Sequence, residues 1–177
     1  MWKRLMTALR HRWLDESDTR RAIGDDLVER LRRRVAASEA RHTGEIRIFA
    51  ESGLPVAYLW RHVRDKTSMA ELARQRATMI FGRLRVWDTA QNNGVLIYLL
   101  LAEQQIELVA DRGLNAHVSS AEWQAMVQRM SQAFAQGKFE QGLTQALEEV
   151  SAPLVLHYPV LAGDANPNEL PDTPTRA

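Results

Sequence analysis

Residues 95–101 read VLIYLLL, a run with no polar residue to mark an outward face. A half-exposed strand alternates between apolar and polar side chains, and this run does not. It reads as a strand covered on both faces. It is far short of the roughly 20 apolar residues that cross a bilayer. A strand buried on both sides needs helices above and below it, and that requirement organises the rest of the chain.

The run follows an abrupt polar turn, VWDTAQNNG over residues 86–94. Trp87 stands before it, and Asp88, Gln91, Asn92 and Asn93 crowd the strand mouth. Two readings are open. Asn and Asp hydrogen-bond to their own turn backbone, and Asn93-Gly94 suits a left-handed residue before a strand, with Trp87 as a plug in the core. Alternatively, the same oxygens hold a ligand.

Other segments fall into place by period. Ile23, Leu27, Leu31 and Val35 mark one stripe of a helix over 19–41, with Asp15, Ser17 and Asp18 as caps. Glu45–Glu51 alternates as a strand with one face more buried. Residues 56–66 fit strand, turn or helix. Ser68 with Glu71 opens a helix to about Leu84, its apolar side including the stem of Arg76. Ala102–Gln105 is short enough for a hairpin, and Ile106–Asp111 returns antiparallel. Ser119 with Glu122 caps a further helix that Gly137 stops, and a last helix spans 138–151. The order α-β-α-β-β-α-α predicts a three-layer α/β/α sandwich. Its first two strands are joined by a helical crossover and therefore parallel.

At 177 residues the chain is one domain by length, divided here as a basic segment 1–18, a folded domain 19–158 and a tail 159–177. The tail carries Pro159, Pro167, Pro171 and Pro174 and reads as disordered. With no cysteine, disulfides and thiolate metal sites are excluded. The net charge of +1 gathers no nucleic acid, and the arginines around Arg30–Arg34 lack interleaved aromatics, so nucleic-acid binding ranks last.

The first residues, MWKRLMTALRHRW, are amphipathic. Trp2, Leu5, Met6, Leu9 and Trp13 fall on one helical face among Lys3, Arg4, Arg10 and Arg12. Trp and basic residues together suit an anionic lipid surface. A helix packed on its own domain, or a disordered arm, is the other reading. The longest apolar run here is two residues, so no secretory core is expected. A cytoplasmic location, open to a peripheral place at the inner membrane face, is the expectation.

The ordered set Thr43-Gly44-Glu45-Ile46, Phe81 to Val86-Trp87, Asn93-Gly94-Val95-Leu96, Gly113-Leu114, and Phe134 with Gly137-Lys138-Phe139 and Gly142 resembles the TPM domain family over residues 20–155. Arg83–Thr89 and Val109–Gly113 are similar to its bacterial cytoplasmic branch. The resemblance implies the same α/β/α sandwich. It also implies one of several roles: acid phosphatase, calcium binder, or accessory to membrane proteins, those of the LemA type among them. The family's Asp-Asn-Gly before the central strand is here Asn92-Asn93-Gly94, and its glutamate past Gly-Leu is Asn115. Two anionic ligands have become amides, which weakens any calcium site. Asp88 and Asp111 remain, expected at one end of the sheet, with Asn92, Asn93 and Asn115 as further oxygen donors and Arg112 near enough to clamp a phosphate. The five histidines are scattered, with no two at ligand spacing on one element. The function so expected is a non-enzymatic accessory module, and the alternative is a calcium-dependent phosphatase.

Overall fold

The computed structural model describes residues 2–163 and 166–177. Helix α1 (Trp2–Trp13) leads into α2 (Glu16–Ala22) and α3 (Asp25–Glu39). Strand β1 (Ile46–Glu51) follows, then α4 (Val56–Arg64), α5 (Met69–Arg83), β2 (Val95–Leu100) and β3 (Gln105–Ala110). The short α6 (Arg112–Asn115), then α7 (Ser120–Ala135), α8 (Phe139–His157) and β4 (Thr175–Arg176) complete the described chain.

The sheet runs β3-β2-β1-β4. Strands β1 and β2 are parallel, with Ile46 opposite Val95. Strand β3 returns antiparallel, with Ala110 opposite Val95. Every residue of β2 is buried, as an unbroken apolar run requires. Ile46, Ile48, Val95, Ile97, Leu99, Ile106 and Leu108 face α3, α7 and α8. Phe49, Leu96, Tyr98, Leu100 and Val109 face α4 and α5. The result is the α/β sandwich expected, with α1 lying on the outside of α4.

The differences from expectation have local causes. The first long helix is two helices, because Ile23 leaves helical geometry and Gly24 serves as the N-cap of α3. Strand β1 is buried at all six residues, since its polar members find partners inside. Arg76 and Tyr98 both bond to the Glu51 carboxylate, so Arg76 contributes its charged head as well as its stem. Residues 56–64 are helix. Helix α8 continues past residue 151 through Pro153 to His157.

The tail is the main correction. Asn166, Leu170 and Thr175–Ala177 are tied to the body of the protein, where disorder was expected. The Glu45 carboxylate accepts the N–H groups of Glu169 and Leu170, Leu170 is buried, and Thr175–Arg176 pair with β1 as β4. Proline is compatible with an extended strap along a sheet edge, so composition alone misread it.

Candidate functional site

The polar turn, the end of β3 and α6 meet at one corner of the sheet. Gly94 lets the turn close: a Cβ there would lie 1.9 Å from the Val86 carbonyl oxygen. Gly113 lets α6 close on it, since a Cβ there would sit 2.5 Å from the Asn92 carbonyl oxygen and 2.9 Å from the Tyr158 hydroxyl. Asp111 donates its backbone N–H to Gly94, and Gly113 donates to Asn92. The left-handed residue of the turn is Asn92 (φ 53°), one position before the expected Asn93. Val86, fully buried, is the core plug, whereas Trp87 is exposed.

The fold brings Asn92, Asn93, Asp111, Arg112 and Asn115 together, and it spends most of their polar atoms on one another. Arg112 donates to the Asn92 side-chain oxygen at 2.7 Å. Asn115 donates to the Ala110 carbonyl and accepts from the Trp123 indole, so both ends of its amide are engaged. One Asp111 oxygen caps α6 through the Arg112 N–H. Asn93 donates to the Thr43 hydroxyl, which in turn donates to Gln91. Asp88 stays outside this group: it is exposed and lies 3.9 Å from Arg85, and no hydrogen bond among the described residues joins it to Asp111.

Two oxygens are left over. Asn93 Oδ1 and Asp111 Oδ2 are buried and have no hydrogen-bond partner, the only such side-chain atoms among the described residues. A buried acceptor without a donor is costly, so each of these oxygens needs a water, a donor or a cation. A calcium shell takes six to eight oxygens, so even both together would leave most of it to water. Among the described residues no three His, Asp or Glu side chains are arranged to hold a metal ion.

Periodicity within single elements could not find the other members of this corner. Tyr158, at the end of α8, has its hydroxyl pushed up by burial and by the nearby Asp111 charge. His117 and His157, forty residues apart in sequence, stack with ring centres 4.3 Å apart, and Tyr158 meets His117 edge-on. Their only sequence signal was residue type. Thr43 lay within the motif that carried the resemblance, but its bond to Asn93 did not.

Helix α1 is the second feature. At about 3.6 residues per turn, Trp2, Leu5, Met6, Leu9 and Trp13 form one stripe and His11 lies nearly opposite Trp2. The buried side is the polar one. His11 is buried, its Nδ1 accepts the Leu54 N–H, and its Nε2 lies 2.9 Å from Glu103. The first bond leaves the hydrogen of a neutral ring on Nε2, aimed at the carboxylate. Arg10 also bonds to Glu103, and Arg4 donates to the His62 carbonyl of α4. Burial pushes the Glu103 carboxyl up, but the His11 and Arg10 bonds prevail and its net shift is downward. All five apolar residues of the stripe therefore face outward, with Trp2 73% and Trp13 84% exposed. Arg12 is exposed beside them.

A model of the TPM domain matches residues 17–152, and the chain belongs to that family. No curated protein matches the sequence. The fold is similar to the NMR structure of BA42 protein from the psychrophilic bacterium Bizionia argentinensis. The identity is 25% and the TM-score 0.67, over 83% of this chain and 90% of that one. Among the described residues no helix is long and apolar enough to cross a membrane.

Proposed function

We propose that this TPM domain is a non-enzymatic accessory module that attaches to the cytoplasmic membrane face, either to the lipid surface or to a membrane protein such as one of the LemA type. One observation carries the reading: α1 is docked with its polar side in and its apolar stripe out. A helix that served only its own domain would bury that stripe. An exposed apolar patch flanked by basic residues marks an interaction surface. The test is fractionation of bacterial cells producing the full chain. The expected result is chain in the membrane pellet, and a Trp2→Ala/Trp13→Ala double variant that moves to the supernatant. A double variant that stays in the pellet refutes the reading.

The unpartnered oxygens favour a second reading, a weak cation site at the corner. Asn93 Oδ1 and Asp111 Oδ2 would be its protein ligands, with calcium the hard cation suited to an oxygen set. The phosphatase alternative asks for more: several carboxylates to hold the metal against phosphate, and Arg112 as clamp. Here Arg112 is engaged with Asn92 and a single carboxylate oxygen is free. Calcium titration followed by amide NMR tests the site. Shifts confined to Asn92–Gly94 and Asp111–Asn115 support it, and no shift at millimolar calcium removes it. Phosphomonoester turnover that survives Asp111→Asn would not originate at this corner.

A further inference from the structure

We propose that α4 joins α1 in a two-helix platform for an anionic lipid bilayer. The proposal rests on the docking reading above and names its partner. The sequence of these two helices, 12 and 9 residues long, contains no carboxylate. It contains Lys3, Arg4, Arg10, Arg12, Arg61 and Arg64. On a chain whose net charge is only +1, this is a strong local excess. Two of these six cations are offset by neighbouring acids, Arg64 by Asp65 and Arg10 by Glu103. Just after α1, Asp15 is engaged as the cap of α2 and Glu16 with Arg20.

Helix α4 repeats the geometry of α1. It packs beside α1 and buries Leu59 and His62. Val56 and Trp60, one turn apart, are left 66% and 59% exposed. Each helix thus presents tryptophan outward with arginine near it, and the polar latch at His11 keeps α1 from rolling its stripe inward. Tryptophan rings settle at the headgroup level of a bilayer, and arginine and lysine are drawn to anionic lipid phosphates. Protein interfaces also favour tryptophan and arginine but are depleted in lysine; here every charged side chain of the two helices is basic, the sign that an anionic lipid surface attracts. The charge complementarity therefore points to the anionic surface of the bilayer.

The experiment is co-sedimentation of the purified full chain with protein-free phosphatidylcholine vesicles, alone and with about 30% phosphatidylglycerol, at low and raised salt. Binding should require the anionic lipid and weaken with salt. Trp60→Ala should reduce it several-fold, and Arg64→Glu, a reversal of charge at the surface, by about tenfold. Both positions are exposed, so the melting temperature should stay put and show that each variant is folded. If Trp60→Ala and Arg64→Glu bind as well as wild type while Trp2→Ala/Trp13→Ala does not, α4 has no share and the platform is refuted, but α1 docking stands. If protein-free vesicles are ignored while native membranes retain the chain, the partner is a membrane protein and the lipid assignment falls. If neither vesicles nor native membranes retain it, both readings fall.

Discussion

The corner at Asn92–Asp111 and the outer face of α1 are opposites. At the corner, polar side chains from the turn, the end of β3 and α6 are packed so that most find a partner, and among the described residues two buried oxygens are left over. On α1 the polar groups of Arg4, Arg10 and His11 find partners on the body of the protein, and the apolar stripe is left over. In both places what a neighbour leaves unsatisfied is the clue to what binds. Two oxygens ask for a donor or a cation, and a stripe of exposed tryptophan and leucine asks for an apolar or interfacial surface. The corner's richness in polar residues overstates it as a site, because most of them serve the turn.

The corner can be collapsed without touching α1. Gly94→Ala drives a Cβ into the Val86 carbonyl and should cost about 3 kcal/mol or more in urea unfolding. Gly82→Ala in α5 is the control. Nothing lies within 4 Å of its added carbon, and a helical Gly→Ala change should stabilise by about 0.5–1 kcal/mol.

Next in size is pH, which acts on buried groups where α3 leads into β1. Burial, opposed by the Ile46 N–H bond and reinforced by the neighbouring Glu45 and Asp172 charges, raises the Glu39 carboxyl to about 8, with Arg47 opposing. A raised carboxyl favours the folded state when protonated, so its contribution is full below about 4.5 and is lost as pH rises toward about 8. Burial lowers His42 to about 4, so its contribution is full above about 6.5 and is lost as pH falls toward 4. Glu39→Gln should therefore remove the loss on the alkaline side. It should be more stable than wild type near pH 8.5 by of the order of 1–3 kcal/mol, with little difference near pH 4.5. Urea midpoints at the two pH values check this, and a wild-type curve that stays flat between them contradicts it.

Asp111 separates the corner's two roles. Asp111→Ala removes the cap of α6 and should cost about 1 kcal/mol. Asp111→Asn keeps an acceptor for the cap but removes the charge, and should abolish calcium-dependent NMR shifts at a smaller cost in stability. Trp2→Ala/Trp13→Ala should change stability by less than about 0.5 kcal/mol while membrane retention disappears, because those rings touch solvent more than protein. Asp88→Asn should do least: no calcium shift lost and no measurable change in melting temperature. A calcium response that depends on Asp88 would extend the site out along the turn, beyond the atoms that packing leaves unpaired.

The layers of the fold were legible because they follow from period. The unbroken run at 95–101 demanded cover on both faces, and the stripes on α3, α5, α7 and α8 supplied it. The clustering of Asn92, Asn93, Asp111, Arg112 and Asn115 was legible once the hairpin was, since the register that pairs Val95 with Ala110 brings both turn ends together. The tail was not legible. Its order comes from Glu45, more than 120 residues away, and from the exposed edge of β1. Nor could spacing along one element pair His117 with His157 or bring Tyr158 to Gly113.

By itself, then, the sequence determined the sandwich, the buried central strand, the polar mouth and the amphipathic start, because each depends on residues near one another along the chain. Tertiary structure decided which way those features face. A helical period says that α1 has an apolar side and a polar side. The pairing of His11 with Leu54 and Glu103 turns the polar side inward, since a buried imidazole and carboxylate must satisfy each other. In the same way, composition says that the turn is rich in oxygen, while packing decides that, among the described residues, Asn93 Oδ1 and Asp111 Oδ2 are the buried side-chain oxygens left without a partner.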